Sequence, residues 1–146
     1  MSTTLVITFD SESKQVTDQN WMPSNDVTVG EQVNYQFQDS APKSSAQSVS
    51  NVQLDFTAPI PATAPPTPLY AYANKSVTCA SALPNQTWQC PPYAVGNDDG
   101  ILIPNPTIYN FSVSFKVTME SGAEFTLKAD PQMIVGEGTG ASAAAY

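Results

Sequence analysis

The chain has no histidine and no arginine, and five lysines stand against thirteen carboxylates, for a net charge of −8 over 146 residues. Lack of histidine removes the usual general base, the Ser-His-Asp and Cys-His arrangements and every His-containing zinc site. Lack of arginine removes the planar fork that grips phosphate. The lysines (Lys14, Lys43, Lys75, Lys116 and Lys128) are scattered singly, so no basic patch exists and nucleic acid is excluded as a partner. Carboxylate pairs, lysine or a hard-metal oxygen site are the catalytic options left. No nucleophile–base pair or metal constellation can be named among them, and two cysteines alone make no metal site. The expectation is a non-enzyme without cofactor or metal.

Long apolar runs are missing too. None approaches the roughly twenty residues of a transmembrane helix. No signal peptide is visible, because the start lacks a basic segment and Leu5-Val6-Ile7 is far too short for an apolar core. The expectation is cytoplasmic synthesis, with any export by a non-classical route. Charged residues make up 12% of the chain, about half the usual share, and Ser, Thr, Asn, Gln and Pro take their place. The surface this predicts is polar rather than ionic, which suits structural subunits and lectin-like modules.

What is present is alternation. Residues 107–135 hold the cleanest period-two pattern, with Tyr109, Phe111, Val113, Phe115, Val117 and Met119 on one face and Asn110, Ser112, Ser114, Lys116 and Thr118 on the other. After a turn at 120–123, Phe125 and Leu127 alternate with Glu124, Thr126 and Lys128, so the pattern predicts a β-hairpin offering one apolar face to a core. Asp130-Pro131 then predicts a kink, followed by a short strand at Met133-Ile134-Val135.

Upstream, 3–9 reads as a first strand closed by a turn, and 14–20 as a weak second one. Val27, Val29, Val33, Tyr35 and Phe37 predict a strand interrupted or bulged at Gly30. Val52, Leu54 and Phe56 mark another. The tract holding Pro59, Pro61, Pro65, Pro66 and Pro68 predicts a stiff sheet-to-sheet crossover. Trp21 reads as a core plug or strand-edge cover, with ligand stacking as the alternative. The core prediction is Phe111, Val113, Phe115, Val117, Phe125 and Leu127, together with Val33, Tyr35, Phe37, Val52, Leu54 and Phe56.

With Pro84-Asn85 as apex, Cys79 faces Cys90 across an antiparallel ladder, where side chains are close enough for a disulfide. Two reduced, half-buried thiols are the alternative in a reducing compartment. The loop 94–106 carries the only acidic cluster, Asn97-Asp98-Asp99-Gly100, which lacks the spacing of a recognised calcium loop and reads first as an Asx turn. Sequons at Asn74, Asn85 and Asn110 occur at about the chance frequency. Residues 136–146 form a low-complexity tail.

A chain of this size folds as one domain and buries roughly two-thirds of its unfolded surface. Short strands, turn signals and no helix predict an all-β, antiparallel β-sandwich of immunoglobulin-like or jelly-roll type over 1–135, with 136–146 as the tail. Two function classes follow. One is a non-catalytic structural or assembly subunit that forms homo-oligomers, with the segment after Pro131 in the contact. The other is a glycan-binding module, possible with calcium, in which Trp21, Trp88, Tyr70, Tyr72 or Tyr93 stack on sugar rings while Asn97, Asp98 and Asp99 bind hydroxyls.

Overall fold

The computed structural model describes residues 2–22, 24–41, 46–65, 68, 80–82, 87–96, 103 and 106–136. Among them there is no helix. The elements are β1 (Ser2–Asp10), β2 (Gln15–Met22), β3 (Asp26–Thr28), β4 (Gln32–Asp39), β5 (Ala46–Phe56), β6 (Ala80–Ala82), β7 (Thr87–Gln89), β8 (Tyr93–Ala94), β9 (Thr107–Met119), β10 (Glu124–Ala129) and β11 (Gln132–Gly136). They form two sheets packed face to face. The first runs β2-β1-β4-β7-β6, with β8 also on β4; the second contains β10, β9, β11 and β3, with β5 also on β9.

The sheets are mixed, which corrects the antiparallel expectation. β1 lies parallel to β4 from Ser2↔Gln32 to Phe9↔Asp39, and β11 lies parallel to β3. The cause is a change of sheet between neighbouring elements. β2 returns antiparallel to β1, β3 then joins the other sheet, and β4 re-enters the first sheet on the free edge of β1 in the same direction as β1.

Gly30 is where that change happens: the strand expected over 27–37, interrupted or bulged there, is interrupted, and its two parts lie in two sheets. Glu31 donates its backbone N–H to the Thr28 carbonyl at 3.0 Å, closing a tight turn, and Gly30 takes φ +90° inside it. Only glycine adopts that conformation freely. Val27 is buried on one side of the corner and Val33 on the other, while Val29 sits 39% exposed between them.

The hairpin of β9 is longer than predicted. β10 pairs Glu124↔Thr118 through Ala129↔Val113, and β11 continues from Gln132↔Asn110 to Val135↔Thr107 without a change of register. Phe111 N–H still reaches the Pro131 carbonyl at 3.2 Å. Pro131 therefore interrupts the strand without ending the pairing, because the only ladder group a proline lacks is its N–H. At the break, the Gln19 side-chain amide stands in for a strand: its Nε2 donates to the Asp130 carbonyl and its Oε1 accepts from the Asp130 N–H, each at 3.1 Å. β2 of one sheet is thereby tied to the margin of the other.

Core side chains converge from both sheets. Phe115 of β9 meets Phe37 of β4 at 4.6 Å and Phe9 of β1 at 5.6 Å between ring centroids, and Phe9 stacks on Trp88 of β7 at 6.0 Å. Of the predicted core, Phe111, Val113, Phe115, Val117, Val33, Tyr35, Phe37, Val52 and Leu54 are buried. Phe56, Phe125 and Leu127 are partly buried at its margin. Val49 and Val52 are both fully buried although three residues apart. A bulge in β5 resets the alternation between them, with Asn51 at φ +52°.

The proline tract follows the edge of β9 where β5 leaves off. Ile60 and Ile108 exchange both backbone hydrogen bonds, at 3.0 and 2.8 Å. The Tyr109 hydroxyl donates to the Pro65 carbonyl at 2.7 Å, and Gly96 N–H reaches the Pro68 carbonyl next to β8. The tract thus passes from the second sheet to the first.

Candidate functional site

The residues put forward for ligand contact do not form one site among the described residues. Trp88 is 1% exposed, packs on Phe9 within the core and points its indole N–H at the Gln47 carbonyl, 3.4 Å away. Tyr93 is partly buried on β8 opposite Val33, a core position. Trp21 covers the edge of the core from β2, its ring edge-on to Phe111 at 6.5 Å. Asn97, Asp98, Asp99, Tyr70 and Tyr72 lie outside the described residues.

Cys90 is 1% exposed, and its N–H donates to the Tyr35 carbonyl at 2.9 Å. Its predicted partner Cys79 lies outside the described residues. The hairpin in between has the predicted register: Ala80↔Gln89, Ser81↔Trp88 and Ala82↔Thr87 are the pairs that an apex at Pro84-Asn85 requires.

Among the described residues two carboxylates are buried, and both are held by hydrogen-bond donors. Glu31, 6% exposed, accepts from the Thr3 hydroxyl through one oxygen. Through the other it accepts from the Thr28 N–H and hydroxyl, each at 3.2 Å. It welds the corner at Gly30 to the start of β1. Asp39, also 6% exposed, accepts from the Ser11 and Ala41 N–H groups at 3.1 and 3.0 Å, tying the β1–β2 turn to the end of β4. Donor sets like these offset the cost of burying charge, and both groups fasten turns to strands. No cluster of three or more His, Cys, Asp or Glu side chains is placed to hold a metal ion among the described residues. A shallow open groove follows the Gln19–Asp130 seam between Val16 and Lys128.

The two outward faces differ in kind. Leu5, Ile7, Phe9, Val33, Tyr35 and Phe37 point inward from β1 and β4, so their neighbours in the alternation point out. On the first sheet the outward set is Thr4, Val6 and Thr8 on β1, Gln32, Asn34, Gln36 and Gln38 on β4, Asn20 on β2 and Gln89 on β7. The ladders set Thr4 beside Asn34, Val6 beside Gln36 and Thr8 beside Gln38, while Gln36 also neighbours Gln89. Asp10 and Asp18 are confined to one end, at the β1–β2 turn.

On the second sheet the outward set includes Asp26, Asp55, Lys116, Glu124 and Lys128, with a Lys116–Glu124 ion pair at 3.3 Å. Ile60, Ile108 and Ile134 form a cross-strand row at its far end. Sequence reading passed over the amide face. Its signal was present in the polar half of the alternation from Gln32 to Gln38.

These features define an all-β protein of two packed, mixed sheets with uncharged polar residues over most of one face. Comparison with protein-family models, with curated proteins and with solved structures finds no match.

Proposed function

We propose that the chain is a non-catalytic structural subunit that associates with copies of itself. The observation that carries this reading is where the large side chains have gone. Trp88, Tyr35, Tyr109, Phe9, Phe37 and Phe115 are all within 1% of complete burial. What is left facing outward on the strands is mainly Ser, Thr, Asn and Gln, residues that cost less to desolvate than ions and offer both donors and acceptors. Such surfaces fit an assembly better than a cleft that takes a small ligand.

The segment after Pro131 contributes to this reading through its own sheet. β11 lies between β9 and β3, with Met133 and Val135 fully buried. Any contact by the tail rests on residues 137–146, outside the described residues. Sedimentation velocity on the full chain over a concentration series tests the proposal. The expected result is a weight-average mass that rises with concentration, and a mass that stays at the monomer value throughout overturns it.

A further inference from the structure

We infer that the outward face of the first sheet is the self-association surface, and that its occupant is the same face of a second copy. This rests on the reading of the chain as a self-associating subunit and names the surface through which it works. The argument begins with charge. Each copy carries a net charge of −8, so a stable contact requires a patch where the approaching copy meets no carboxylate. The outer face of the second sheet does not provide one, since five ionic residues project from it and burying them costs desolvation. On the first sheet, Thr4, Val6, Thr8, Asn34, Gln36 and Gln38 form a continuous uncharged field two strands wide. Asn20 and Gln89 extend it on either side.

The chemistry of the face is self-complementary. A side-chain amide carries two donor hydrogens and an acceptor oxygen, so a row of amides can satisfy a second row of the same kind. Among the described residues, the amides of Gln36, Gln38 and Gln89 have no hydrogen-bond partner within the chain. Asn34 is engaged weakly, donating to the Thr3 carbonyl at 3.4 Å. Val6 lies at the centre of the field, outward of the core but only 9% exposed, so what a second copy meets there is mainly the surrounding polar side chains.

The position of the carboxylates fixes the orientation. Asp10 and Asp18 mark one end of the strands, and Met22, 50% exposed, marks the other beside Thr4. A two-fold axis lying in the face and perpendicular to the strands places the Asp10–Asp18 end of one copy over the Met22 end of the other. That keeps the carboxylates apart and closes the contact as a dimer. β2, β1 and β4 are about 25 Å long and β7 and β6 about 10 Å, which at a spacing of about 4.8 Å gives a face of roughly 450 Å². This is below the lower limit of about 600 Å² per partner for standard specific interfaces, so the contact belongs to the weak, concentration-dependent class.

The test is a single charge placed in the centre. Gln36→Glu is close to isosteric and outward-facing. In the two-fold arrangement it brings two like charges together and should lower the association constant by at least about tenfold. Gln36→Asn, which keeps the amide, should stay close to the parent chain. Ser114→Glu on the other sheet is the control and should also leave association unchanged. Gln89→Glu, on an exposed position of β7, repeats the test where Gln36→Glu fails to give the parent far-ultraviolet circular dichroism. Loss of association in the first-sheet charge variants alone supports the inference. Association that persists in both Gln36→Glu and Gln89→Glu overturns the face while leaving the self-associating subunit intact. A parent chain that is monomeric at every concentration overturns both.

Discussion

Phe115 is the residue on which the two sheets meet, in contact with Phe37 and Phe9 of the first sheet and fully buried. Truncation to alanine removes the ring and leaves a cavity beside Phe37 and Phe9 that these rings, held on two different strands, cannot easily close. Phe115→Ala should therefore cost about 3–5 kcal/mol, a large part of the stability of a domain this size. An unchanged denaturation midpoint would show that the ring is not in the core. Glu31 makes a different contribution, since its worth lies in the donors it satisfies. Glu31→Ala leaves the Thr28 N–H and the Thr3 hydroxyl without their acceptor in a buried corner and should destabilise by about 1–3 kcal/mol. Glu31→Gln retains one acceptor oxygen and should lose less. Urea denaturation of the two variants side by side checks the ranking, and equal losses would remove the carboxylate from the account of the corner.

At the scale of the element, legibility followed the range of the cause. The alternation in β9 and β10 was plain because burial of one face is imposed residue by residue along a single strand. The Gly30 corner was hidden: Val27, Val33 and Phe37 are apolar whether the chain continues in one sheet or changes to the other. The parallel pairing of β1 with β4 was equally hidden, since the choice of neighbour is made about thirty residues away. Asp130-Pro131 predicts a kink because the missing N–H of proline is visible in sequence, whereas the retention of register across it depends on β9. The amide row was written openly from Gln32 to Gln38, yet polar alternation alone says nothing about what lies over it.

The β6–β7 hairpin was legible in register, and its cysteines give the prediction at this scale. With Ala80↔Gln89 as the last described pair, the disulfide proposed between Cys79 and Cys90 closes a short loop. Its reduction should cost about 2–3 kcal/mol. Thiol labelling of denatured, unreduced protein should find no reactive cysteine. Two labelled thiols would remove the bond, and a reduced chain with unaltered stability would remove its structural role.

For the whole molecule the governing quantity is the net charge of −8 on every copy. Two such copies with centres about 25 Å apart repel by about 10 kcal/mol unscreened in water. Screening cuts this to about 5 kcal/mol at 0.01 M salt and about 1 kcal/mol at 0.1 M, as the Debye length falls from about 30 to about 10 Å. An uncharged contact face leaves this repulsion as the salt-sensitive part of association. Self-association should therefore strengthen by nearly three orders of magnitude, about 4 kcal/mol, between those ionic strengths. It should then level off, because little repulsion remains to be screened. An interface held by ion pairs has the opposite sign, since salt weakens the attraction as well. Sedimentation equilibrium at several salt concentrations separates the two cases. An association constant that falls with added salt would move the contact to the Lys116, Glu124 and Lys128 face of the second sheet and away from the glutamines of β4.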